Sequence, residues 1–211
     1  MGVSGMTILC MLVAVTAGNS NSGIPEQLKN LLVRLNPWKI VNNTQPVYLF
    51  QVTAENELLS MFFCIFSEYI SYDDKEETVY RTLQSRFQNG SVTSSSSIRR
   101  ALNISLQVKD TPFSPTLLVG LLVSSNGKLP TMGPNDLVAF AEYQLPVHYA
   151  DGRCLILGNP GQRGRSAGCS LWTTEKPPKG PPLCCRFLFF LMCGASKAIH
   201  HVDNTCPAQG T

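Results

Sequence analysis

Thr78-Val79-Tyr80-Arg81-Thr82-Leu83-Gln84-Ser85-Arg86-Phe87 alternates with a period of two and runs toward Asn89-Gly90, a strong turn dipeptide. That period marks an extended chain whose successive side chains point to opposite faces. The same reading continues outward on both sides. Upstream, 47–53 (VYLFQVT) and 61–70 (MFFCIFSEYI) are strand candidates, the second followed by a turn at Asp73-Asp74. Downstream, 101–108 (ALNISLQV) alternates again, and 116–123 (TLLVGLLV) is an apolar strand leading to a turn at Asn126-Gly127. Residues 137–148 give one long strand or a bent pair, and 154–157 and 170–173 are short strands flanking a glycine-rich loop. About eight strands at roughly 10–15-residue spacing leave little room for helices between them, so the expectation is an all-β antiparallel barrel or sandwich rather than a parallel βαβ sheet.

Two segments depart from this period. Between Ile24 and Lys39, Leu28, Leu31, Leu32 and Leu35 recur at helical spacing, with Pro37 as the stop. Leu183 to Gly194 is a late helix, with Gly194 suited to end it, and its apolar run is expected to pack on the outside of the barrel. Pro177 to Pro182 (PPKGPP) lies too near the end to divide two domains, and there is no internal repeat.

The chain has 211 residues, 44% hydrophobic and only 15% charged, which excludes a disordered chain and suffices for a real core. A net charge of +3 is too small for a nucleic-acid binder. The charge is uneven: residues 1–150 carry 10 basic and 11 acidic side chains, residues 151–211 carry 7 and 3.

Met6 to Ala17 (MTILCMLVAVTA) is uncharged, too short to span a bilayer, and ends in the small-residue pattern of a signal-peptidase site. The expected organisation is a secretory leader over 1–17, a polar N-terminal segment over 18–36, and a folded domain over 37–211. Asn42, Asn89 and Asn103 head N-glycosylation triplets, consistent with a secreted, extracellular product. Removing the leader removes Cys10 and leaves Cys64, Cys154, Cys169, Cys184, Cys185, Cys193 and Cys206, which in an oxidising compartment read as disulfides. Spacing alone does not choose their pairing. A zinc site is disfavoured because there is no Cys-x-x-Cys pair and adjacent Cys184-Cys185 do not converge easily on one ion.

No Gly-x-Ser-x-Gly or His-Glu-x-x-His occurs in the mature chain, so no catalytic residue, cofactor or metal is expected. Gly158 to Arg165 lacks the Gly-Lys-Ser/Thr ending of a phosphate loop and reads as a hairpin loop. Arg163 and Arg165 there are the alternative seat for a lipid carboxylate or a sulfated glycan. His200-His201 would project to opposite sides of a strand, which disfavours chelation by both.

Cys154-Leu155-Ile156, then Ser170-Leu171-Trp172-Thr173-Thr174, then Cys184-Cys185 and Cys206, preceded by Asn36-Pro37-Trp38-Lys39 and the Pro46-Val47-Tyr48-Leu49 strand, resemble the tick salivary lipocalins of the histamine-binding type. The resemblance covers about Trp38 to Cys206. It implies a secreted eight-stranded antiparallel lipocalin-like barrel with a C-terminal α-helix and a short N-terminal helix. That barrel would sequester a small host mediator: a biogenic amine such as histamine or serotonin, or a lipid such as a leukotriene. It also implies Cys64–Cys206, Cys154 with Cys184 or Cys185, and Cys169–Cys193. Cys185 is favoured for Cys154, leaving Cys184 as a free thiol.

An amine is a cation, and burying it requires a carboxylate partner. The family's amine-binding triplets supply acids where this chain has Leu155 and Ser170. Glu142, which shares strand parity with Phe140 and Gln144, is the substitute candidate if that face is inward. Tyr48, Phe50 and Val52 share one strand face, and Ser170 and Trp172 share another. Trp172 and Trp38 either line the guest site, by cation–π contact or by covering an acyl chain, or plug the barrel. The candidate ligand-binding set is therefore Trp38, Tyr48, Phe50, Phe140, Glu142, Ser170 and Trp172. The partner is a small-molecule host mediator, with no nucleic acid and no membrane. The alternative is a host protein, the chain then acting as an inhibitor of complement or coagulation through loops on the same barrel.

Overall fold

The computed structural model describes residues 36–53, 63–87, 98–110, 115–124, 137–160, 168–176, 179–194 and 199–200. The expected leader, the Leu28–Leu35 segment, Asn89, Arg163, Arg165, His201 and Cys206 lie outside them.

A short helix α1 (Trp38–Val41) precedes strands β1 (Val47–Val52), β2 (Phe63–Asp73), β3 (Thr78–Phe87), β4 (Ile98–Lys109), β5 (Thr116–Ser124), β6 (Leu137–Ala150), β7 (Cys154–Gly158) and β8 (Cys169–Thr173). Helix α2 (Leu183–Cys193) and a two-residue strand β9 (Ile199–His200) follow. Each of the first eight strands pairs antiparallel with its neighbour in sequence, and β1 pairs with both β8 and β2, which closes the sheet into an eight-stranded barrel. β9 adds to β1 through Gln51 and Val52.

Closure follows from alternation. Val79, Arg81, Leu83 and Ser85 of β3 turn to one side, and across the ladder Arg81 faces Ile104 and Leu83 faces Leu102. On β5 and β6, Leu117 faces Leu145 and Val119 faces Tyr143. These rows build an inner core of Ile40, Val41, Val47, Val79, Ile104, Leu106, Leu117, Val147, Leu155 and Leu157. The β2–β3 turn is held by Asp73, whose Oδ1 accepts from the Lys75 and Glu76 amides.

The segment that Pro37 is expected to stop lies outside the described residues; on its other side Pro37 caps the start of α1, and its carbonyl accepts from the Val41 amide at 3.0 Å. A fixed φ and a missing N–H suit proline to a first turn.

β7 and β1 are buried on both faces: α2 covers the outer wall over β7 and Phe50, and Cys64 and Phe66 of β2 cover Tyr48. Cys185, Leu188, Phe189 and Cys193 recur on one side of α2 and pack on Phe50, Cys154, Ile156, Cys169 and Leu171. Two disulfides fasten this contact, Cys154–Cys185 at the first turn and Cys169–Cys193 at the last. Gly194 ends the helix at φ 81°, a backbone geometry glycine takes without strain. Cys64 and Cys184 are also disulfide-bonded, with partners outside the described residues. The Cys184 pairing belongs to the full chain with Cys10 present, whereas the expectation of a free Cys184 concerns the chain cleaved after Ala17, from which Cys10 is gone. In its first-turn position Cys184 is only half-buried, beside the inward-facing Cys185, and so open to a second bridge.

Candidate ligand cavity

The barrel encloses a cavity of about 500 Å³, within the range of small-molecule sites. Its walls are the inward rows of the strands: Leu49, Ile65, Leu83, Ile104, Val119 and Leu157 represent a lining that is mostly aliphatic. The polar contributions come from Ser67, Arg81, Ser85, Asn159, Ser170 and Trp172. Among the described residues no carboxylate lines it.

Arg81 is the charged lining group, only 1% exposed. Its Nε donates to Ser67 Oγ at 2.9 Å, Nη1 donates to the carbonyls of Val41 (3.2 Å) and Asn43, and Nη2 donates to those of Gln45 and Ser67, both at 3.0 Å. All five guanidinium N–H groups are thus spent on neutral acceptors. The side chain stitches the α1–β1 connection across the base of the barrel to β2. Burial pushes its pKa down to about 10, so it is a cation at neutral pH. It lies 6.0 Å from the Tyr69 ring centre.

The opposite end is neutral. Trp172 Nε1 donates to Ser170 Oγ at 3.0 Å, and Ser170 pairs with Val52 and Leu157, near the ends of β1 and β7. Asn159 follows directly on β7. Along β3, Arg81 and Ser85 are four residues apart, roughly 13 Å at strand spacing. The cavity is therefore an apolar shaft with a cationic floor and a hydroxyl-and-amide rim.

The structure separates the candidate residues. Ser170 and Trp172 line the cavity, and so does Leu155. Glu142 does not: it is exposed, on the outer parity of β6 opposite Gly120, while Leu145 faces inward. It is not the substitute acid. The Phe140 side chain lies outside the described set. Tyr48 and Phe50 point to the outer wall, Tyr48 beside Phe66 at 6.1 Å between ring centres and Phe50 under α2. Val52 does not share their face: a register shift between Leu49 and Gln51 turns it inward to Leu49, Ile65 and Trp172. Trp38 packs edge-on against Tyr72 at 5.4 Å and does not line the cavity; it seals the base. Asn103 is on the outer parity of β4, half-exposed, and Asn42 is half-buried at the end of α1.

Sequence reasoning missed Arg81 as a cavity residue. Its parity with Val79 and Leu83 was the available signal. The acidic-and-thiol cluster Asp151, Cys154 and Cys185 is no metal centre, since both sulfurs are in the Cys154–Cys185 bridge. The Asp151 carboxylate instead accepts from the Arg153 and Cys154 amides and from the Tyr149 hydroxyl, whose pKa burial raises.

Comparison with known proteins gives three findings. The family profile described as tick histamine binding protein matches residues 27–207. Japanin from Rhipicephalus appendiculatus, in a structure with bound cholesterol, superposes with a TM-score of 0.54 at 22% identity, covering 78% of this chain and 96% of that one. AM182, in a serotonin complex, gives a TM-score of 0.45 at 13% identity, covering 82% and 94%. No curated protein sequence matches the chain.

Proposed function

The chain belongs to the tick histamine-binding protein family, and we propose that it is a secreted scavenger whose barrel takes up a small lipid mediator of the host, such as a leukotriene, in preference to a biogenic amine. The observation that carries this reading is the acid-free cavity. Leu155 and Ser170, which stand where the resemblance places the family's acids, both face the interior, and both are uncharged. An ammonium guest in the shaft would find no carboxylate partner, and the one charged group among the described lining residues is itself a cation, Arg81. Leaving one member of a buried ion pair without its partner costs about 3–5 kcal/mol, roughly a hundredfold or more in affinity. A lipid chain exchanges water for aliphatic wall, and its hydroxyls or carboxylate can reach the Ser85, Asn159 and Ser170 rim.

Uptake is binding without turnover. The expected leader, the outward Asn103 triplet and the disulfides support an oxidising, extracellular setting. Among the described residues no helix is long and apolar enough to cross a membrane. The alternative, a protein-binding inhibitor, would be favoured by a barrel filled with its own aromatics; the open shaft favours a small guest.

Displacement of a fluorescent fatty-acid probe tests the proposal. Leukotriene or sterol should displace the probe at micromolar concentration, and histamine or serotonin should leave it bound at a hundredfold higher concentration. Displacement by the amines at the lower concentration would overturn it.

A further inference from the structure

Helix α2 is apolar on two sides. One side holds Cys185, Leu188, Phe189 and Cys193 against the barrel. On the other, Leu183, Phe187, Phe190 and Leu191 follow at helical spacing and are exposed, Leu183 by 72% and Phe190 by 57%. A helix that is apolar all round is normally enclosed, yet the two disulfides fix which side faces in and prevent the helix from rolling its outer row under cover. The neighbourhood is basic. Lys176, Lys179 and Arg186 are exposed, Lys179 being paired with Glu175 at 3.1 Å, and from Glu175 to His201 the sequence has four basic side chains and one acid. Arg186 flanks the apolar row, with its guanidinium 5.8 Å from the Phe50 ring centre.

We propose that the outer face of α2 docks on an anionic lipid surface, with Leu183, Phe187, Phe190 and Leu191 sunk among the acyl chains and Arg186 and its basic neighbours at the headgroups. An apolar row edged by cations is the chemistry of a helix lying in a membrane interface. A second copy is the poorer occupant. Four partly exposed side chains of this size offer roughly 400 Å², about half of the 800 Å² per partner in a stable protein interface. This departs from the expectation, from the sequence, of no membrane partner, and it does not depend on which guest fills the cavity.

Co-sedimentation of the full chain with vesicles tests it. Vesicles of phosphatidylcholine with 30% phosphatidylserine should pellet the protein at 0.1 M salt. Phosphatidylcholine alone should pellet at least fivefold less. Leu183→Ser with Phe190→Ser should lower anionic-vesicle binding at least tenfold, and Arg186→Gln, which leaves the apolar row intact, two- to fivefold. Circular dichroism checks that both variants are folded. No pelleting with anionic vesicles would overturn the proposal, as would pelleting that survives the double substitution. So would a dimer in sedimentation velocity that the double substitution disperses, because a second copy would then be the occupant.

Discussion

Arg81 is the residue on which the base of the barrel depends. Its five bonds go to carbonyls and one hydroxyl drawn from both the α1–β1 connection and β2. Arg81→Met should lower unfolding free energy by about 2–4 kcal/mol in urea titration, because buried acceptors are left without donors. Arg81→Lys should recover less than half of that loss, since an ammonium lacks the planar fork. A second residue sets a pH dependence. Burial holds the His148 imidazole below its ordinary value of 6.5. The unfolded chain therefore binds that proton more readily than the folded protein. The stability of the neutral ring is complete above about pH 6.5 and is lost as pH falls through that value toward the folded one. Melting temperature should drop between pH 7.5 and pH 5, and His148→Gln should shrink the drop. At this scale the sequence was only partly legible. Trp172 and Ser170 stood out through parity and resemblance, whereas an arginine in a strand reads as solvent-facing until the direction of the face is known.

Among the elements, α2 is the most constrained. Each of its bridges closes a loop through the barrel wall, with sequence separations of 31 and 24 residues. Cys154→Ala with Cys185→Ala should cost about 2–4 kcal/mol, read as a lower urea midpoint with the strand signal retained in circular dichroism. The strands are legible nearly to their ends: the alternation over 78–87 predicts a strand, and β3 is Thr78–Phe87. The register shift in β1 is not, because a bulge reverses side-chain parity without altering composition. That reversal separates Val52 from Tyr48 and Phe50, and without it the face of β1 cannot be assigned. Parity alone likewise left Glu142 undecided until the β5 partner strand showed which row turns inward.

The whole molecule combines a closed barrel, an apolar shaft and a cationic floor. Fold class was legible because alternation recurred across most of the chain and a single element rarely sets it. The shaft's polarity was not, since it depends on which of two rows each strand turns inward. Leu155→Glu with Ser170→Glu should create amine uptake in the barrel, seen as histamine heat that is absent from the parent protein. Failure of that gain in a folded variant would argue that the shaft excludes amines for reasons other than charge. The most direct measurement is a calorimetric titration of one preparation with leukotriene and with histamine. The lipid should bind at least a hundredfold more tightly, and histamine binding as tight as or tighter than the lipid would contradict the account.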